Sequence, residues 1–137
     1  MSAAASRDLL IVTCAVSAGI HAALVPDHLA ESEATGGGFI AATLLLVALI
    51  LALTFRPDSG AVVIATALTF IGLLVSYALA ATSGMPILHP EAEPVDGLAL
   101  LTKAFEALGL ALALGVIRPG RAETVTPFLL EKEGARA

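Results

Sequence analysis

The 137-residue chain has no tryptophan, a single tyrosine (Tyr77) and a single cysteine (Cys14). A lone cysteine closes no internal disulfide, which excludes the disulfide-framed small scaffolds and leaves the redox compartment unreadable. With almost no Trp or Tyr, the chain lacks the aromatic belt common at membrane–water interfaces. Charge is scarce too: 7 Lys and Arg against 12 Asp and Glu, 14% of the chain together, with a formal net charge of −5. A nucleic-acid partner wants a basic face, so no nucleic-acid binding is expected. No phosphate-cradling glycine loop, Ser-His-Asp arrangement or other nucleophile–base pair occurs, and the sequence predicts no enzyme.

What the chain has in excess is apolar surface. Hydrophobic residues make up 58% of it, above the level of soluble domains. Four apolar runs stand out, at 9–25, 39–55, 61–81 and 97–117. Each reaches the length of about 17 to 25 residues that a spanning helix needs. In hydrocarbon only bonding within the segment satisfies the backbone, so each is predicted helical. Pro26-Asp27, Arg56-Pro57-Asp58, Gly84-Met85-Pro86 and Arg118-Pro119-Gly120 punctuate the runs. The expected fold is all-α, an integral membrane four-helix bundle forming one domain over 1–137, with a tail at 118–137. Small residues at four-residue spacing suggest close helix packing: Ala15, Gly19 and Ala23; Gly72, Ser76 and Ala80; Ala107, Ala111 and Gly115.

A secretory signal peptide is a rival reading of the first run, with a cleavage site near Ser17-Ala18-Gly19. Arg7 beside Asp8 and the apolar residues continuing past Gly19 argue against it. A lipoprotein reading of Cys14 fits less well, because Val12-Thr13 is a poor match to the small residues that should precede such a cysteine.

Orientation follows from the basic residues. Loops 26–38 and 82–96 contain no Lys or Arg, whereas Arg7, Arg56, Arg118, Arg121, Lys132 and Arg136 all fall on the other side. The pattern predicts a multi-pass protein of the cell membrane with both termini cytoplasmic (N-in/C-in) and loops 26–38 and 82–96 extracytoplasmic. The tail around Phe128, Leu129 and Leu130 is expected to rest on the inner membrane surface.

Two constellations carry candidate chemistry. The first lies at the expected outer face, where His21, His28 and His89 stand with Asp27, Glu31, Glu33, Glu91, Glu93 and Asp96. Imidazole and carboxylate together suit Zn²⁺ or Cu²⁺, and a break at Pro26 would fold Asp27 and His28 back over the bundle. The plainer reading is that these acidic loops solvate the outer face, and that His21 bonds to a neighbouring helix. The second constellation is Lys103 and Glu106, three apart on one helical face, with Glu106 near the middle of its run. An ionisable residue at that depth marks a substrate site, proton relay or ion path, or else a structural pair facing the bundle interior. If the first and fourth helices are neighbours, His21, Lys103 and Glu106 form one polar cluster. A bis-histidine haem lacks its second ligand, since His21 is the only histidine inside a run.

The stretch GIHAALVPDHLAES, with Gly38-Phe39 after it, and the later SGMPILHPEAEPVDGLALLTKAFE together cover roughly a third of the chain. They resemble small four-span integral membrane proteins of actinobacterial type, a group of unassigned function. That resemblance implies the four-span architecture and singles out His21, His28, Glu31, Asp96 and Glu106.

Three classes of function fit. The first is a non-catalytic membrane protein with an outward-facing His/carboxylate site for a metal ion or small ligand. The second is an accessory subunit of a larger membrane complex. The third is a small homo-oligomeric, proton-coupled transporter using Glu106 and Lys103, for which four helices alone offer a narrow path.

Overall fold

The apolar runs condense into four helices: α1 (Ala3–Glu31), α2 (Glu33–Phe55), α3 (Gly60–Thr82) and α4 (Gly97–Ile117). The structure, a computed structural model, describes residues 2–84, 92 and 95–117. Expectations resting on His89, Glu91, Glu93 and the tail 118–137 lie outside the described residues. There are no strands among the described residues, and all four helices are long and apolar enough to cross a membrane.

The expected loop 26–38 is a correction. α1 continues through Pro26 to Glu31, and α2 starts at Glu33, so Ser32 alone separates them. Ser32 serves both helices: its backbone N–H donates to the His28 carbonyl, and its hydroxyl accepts from the Thr35 N–H at 3.4 Å. Glu33 in the first turn of α2 suits the positive end of that helix. Pro26 forfeits one backbone hydrogen bond, which in an isolated helix is reason to break. Here the hairpin packing of α1 on α2, the most extensive of the four seams, offsets that loss. Gly36 makes the corner possible, because a Cβ there would run into the side chain and backbone of Leu29. The run Gly36-Gly37-Gly38, which reads as a loop, is therefore the start of a helix.

The helices form a ring. α1 touches α2 and α4, α3 touches α4 and α2, and the diagonal pairs do not meet. The α2–α3 seam is the thinnest. α1 begins, α2 ends, α3 begins and α4 ends at one end of the bundle, where Arg7, Pro57, Asp58 and Val116 line a shared cavity of about 210 Å³. The other end gathers Ser32, the close of α3 at Thr82 and the start of α4.

Polarity is inverted relative to a water-soluble bundle. Thr13, Ser17, His21, Thr66, Thr102 and Glu106 are buried, while Leu44, Leu51, Phe55, Leu68, Val75 and Leu101 face outward. The hydroxyls of Thr43, Thr54, Thr66, Thr69, Thr82 and Thr102 each donate to the carbonyl four residues earlier, so even outward-facing ones are satisfied within their own helix.

The small-residue ridges face the wrong way for the packing expected of them. Ala15, Gly19, Ala23, Gly72, Ser76, Ala107, Ala111 and Gly115 are exposed, and only Ala80 is buried. The ridges that do turn inward carry polar or small residues one face over: Cys14, Ser17, Ala18 and His21 on α1, and Thr102, Glu106, Gly109 and Ala113 on α4. Gly109 receives the ring of Phe70, which is fully buried and would collide with a Cβ at that position. Leu10, Leu46, Leu53 and Val63 complete an apolar plug on the Arg7 side of that contact.

Candidate functional site

Adjacent packing of α1 and α4 puts their mid-helix polar residues face to face. Glu106, next to the midpoint of α4, is wholly buried. Lys103 lies one turn earlier on the same face, and its Nζ donates to Glu106 Oε2 at 2.6 Å. From α1 the Ser17 hydroxyl donates to Glu106 Oε1 at 3.3 Å. His21 Nδ1 sits 2.9 Å from the Ser17 carbonyl, which can only accept, so Nδ1 carries a proton. The other ring nitrogen, Nε2, is 3.8 Å from Glu106 Oε1, an electrostatic approach longer than a hydrogen bond. The structure thus brings His21, Lys103 and Glu106 into one cluster and adds Ser17, which the sequence reading passed over. The missing signal was spacing: Ser17 and His21 are four apart on α1, the same face by helical geometry.

Two members of the cluster, His21 and Lys103, line a cavity of about 280 Å³ at the Ser32 end, walled by all four helices. The lining residues fall within His21 to His28 on α1, Thr35 to Ala42 on α2, Leu73 to Ala80 on α3, and Asp96 with the start of α4 to Lys103, each a stretch of eight residues. At 1.5 Å per residue the cavity therefore runs about 10 Å along each helix. Two turns bring His28 back to the face of His21, and Phe39 packs against both rings, with centroids 4.0 Å from His28 and 5.5 Å from His21. His28 Nδ1 contacts the Leu24 carbonyl at 2.9 Å, which leaves its Nε2 free of that bond. On the facing wall Lys103 Nζ stands 5.2 Å from the centre of the Tyr77 ring. The Tyr77 hydroxyl is buried and has no hydrogen-bond partner among the described residues. Orphaned buried hydroxyls are uncommon; Tyr77 lines the cavity, but its oxygen is shut off from the accessible space. The sequence reading did not single out Tyr77; its rarity was the available signal.

The remaining expected residues are placed less centrally. Asp96 lines the cavity mouth and caps α4, its Oδ1 accepting from the Ala99 N–H at 2.7 Å. Asp27 and Glu31 stand exposed on the last turns of α1. The fold-back of Asp27 and His28 at Pro26 does not occur, because the helix continues. Among the described residues no group of three or more His, Cys, Asp or Glu gathers in a way that holds a metal ion. His89, Glu91 and Glu93, the other members of the expected outer site, lie outside the described residues.

No family model, curated protein or solved structure matches the chain.

Proposed function

We propose that the chain is a four-span integral protein of the cell membrane, N-in/C-in, that binds a small organic ligand in the cavity at the Ser32 end, on the extracytoplasmic side. Insertion is supported by the inverted polarity: an outward surface of leucine, isoleucine and valine is costly in water and neutral in lipid. Orientation is supported by Arg7 and Arg56 at one end and the lack of any Lys or Arg in 26–38 and 82–96 at the other.

The observation that carries the ligand reading is a cavity of about 280 Å³ on which polar side chains from all four helices, His21, His28, Thr35, Ser76 and Lys103 among them, converge. A pocket with an apolar lining and few, placed polar groups is the usual form of a small-molecule site. Blindness of the cavity favours binding over conduction. Beyond Glu106 the interior is filled by Phe70 seated on Gly109 and by Leu10, Leu46 and Leu53.

Native mass spectrometry of the protein released from nanodiscs, beside an Ala42→Leu variant that fills the cavity, tests the reading. A small-molecule adduct retained by the native chain and lost in the variant is expected. Identical spectra, with no adduct after incubation with a total membrane lipid extract, would overturn it. Orientation is tested in a Cys14→Ala background with single cysteines at Asp27 or Asp58. An impermeant maleimide added to intact cells should label the first and spare the second; the reverse pattern refutes N-in/C-in.

A further inference from the structure

The electrostatics of the cavity narrow what it takes, provided that it is a ligand site as proposed above. Three formal charges lie in or behind its wall. At the floor Lys103 and Glu106 are paired at 2.6 Å and neutralise each other, whereas Asp96 at the mouth is unmatched, so the sum is −1. Asp96 precedes Lys103 by two helical turns, about 10 Å along α4, which sets the negative charge well apart from the ammonium. No basic side chain answers it at that end: segments 26–38 and 82–96 contain no Lys or Arg, and Asp27, Glu31 and Glu33 add to the negative side. The helix dipoles do not reverse the sign, because α1 and α3 end there while α2 and α4 begin.

The unused hydrogen-bonding capacity has the same sense. His28 Nδ1 donates to the Leu24 carbonyl, so Nε2 of the neutral ring is an acceptor. That nitrogen has no partner among the described residues and is open to solvent. Asp96 Oδ1 accepts from the Ala99 N–H, which leaves Oδ2 for a further donor. His28 is the last lining residue of α1 and Asp96 the first before α4, so both stand at the mouth, on neighbouring helices. Deeper in, Leu24, Phe39, Ala42, Leu73 and Ala99 make the wall apolar. A ligand that presents N–H donors and positive charge at the mouth, with an apolar body below, meets both halves. A phosphate or carboxylate at the same level meets Asp96 and finds no counter-charge. At about 280 Å³ the space is at the small end of ligand pockets, which run from about 300 to 1,000 Å³, so it accommodates a ring and not a long chain.

We infer that the cavity takes a small amphiphilic amine in its ammonium form, a compact apolar body carrying one such group. The ammonium pairs with Asp96 and donates to His28 Nε2, and the body fills the space between Phe39 and Leu73. The inference concerns binding alone.

Calorimetry on the protein in phosphatidylcholine nanodiscs, with empty nanodiscs subtracting partition into lipid, tests it. Three probes share a phenyl ring and differ in the charge of the head: phenethylammonium, 2-phenylethanol and 3-phenylpropanoate. Saturable binding of phenethylammonium near one per chain, abolished in Ala42→Leu, is expected. The alcohol should bind about tenfold more weakly and the carboxylate should not saturate. Asp96→Asn removes the charge and keeps the cap of α4, since Asn caps a helix about as well as Asp, so the variant should fold normally by circular dichroism. It should bind phenethylammonium about tenfold more weakly, as for one charge-assisted hydrogen bond, and the alcohol as before. Unchanged ammonium affinity in Asp96→Asn overturns the inference. If the alcohol or the carboxylate binds as tightly as the ammonium at a site lost in Ala42→Leu, the amine assignment falls and the ligand-binding reading stands. If no probe responds to Ala42→Leu, both fall.

Discussion

Removing Lys103 from its partner tests the most exacting claim about the cluster, that Lys103 and Glu106 of α4 form a buried charge pair facing α1. At 2.6 Å and an effective dielectric of about 20, the gross attraction of Lys103 for Glu106 is about 6 kcal/mol. Desolvation of both groups cancels most of that, so the pair adds little net stability. The asymmetry appears when one partner goes. Lys103→Met leaves the carboxylate of a side chain that is 0% exposed with one neutral donor, Ser17, and His21 at 3.8 Å. Breaking a buried pair in this way costs about 3–5 kcal/mol. Glu106→Gln orphans an ammonium whose side chain is 16% exposed and opens onto the cavity, so water reaches it and the loss is smaller, about 1–2 kcal/mol. The double variant Lys103→Met/Glu106→Gln removes both charges, keeps an acceptor for Ser17, and should lie within about 1.5 kcal/mol of the native chain. Reversible unfolding in mixed micelles by denaturing-detergent titration, followed by circular dichroism, measures all four corners of the cycle. A coupling energy of about 2 kcal/mol or more is expected. Single losses that simply add in the double variant, with coupling below about 0.5 kcal/mol, would show that the pair is an ornament of geometry and refute the reasoning.

Two further outcomes follow from packing and capping. Gly109→Ala drives a methyl into the buried ring of Phe70 and should cost about 1–3 kcal/mol, with Phe70→Leu in the same chain recovering much of the loss; equal stability of native and Gly109→Ala proteins would refute the contact. Ser32→Ala removes the side-chain cap of α2 at the one-residue turn and should cost about 1 kcal/mol in the same titration, whereas an unchanged midpoint would show the cap to be idle.

The position of Glu106 in the cluster was half legible. Depth in the fourth apolar run and the three-residue step to Lys103 follow from periodicity, which is a local property. That Ser17 and His21 complete the cluster depends on α1 packing beside α4, and no local pattern encodes a neighbour. The first expected loop went wrong for a related reason. Pro26 and three consecutive glycines are strong local breakers, and their penalty of a few kcal/mol is overridden by a seam that forms only when α1 and α2 lie together. Small-residue spacing misled likewise: in an alanine-rich chain several faces carry such ridges, and only packing selects which one turns inward.

By itself the sequence determined four apolar helices and, closely, the extents of the third and fourth, because length and apolarity act segment by segment. Tertiary structure alone decided that the helices close into a ring, that Phe70 on Gly109 blocks the interior, and that Tyr77, Lys103, His28 and Phe39 face one cavity. Those facts are relations between side chains far apart in the chain, set by which ridges interlock.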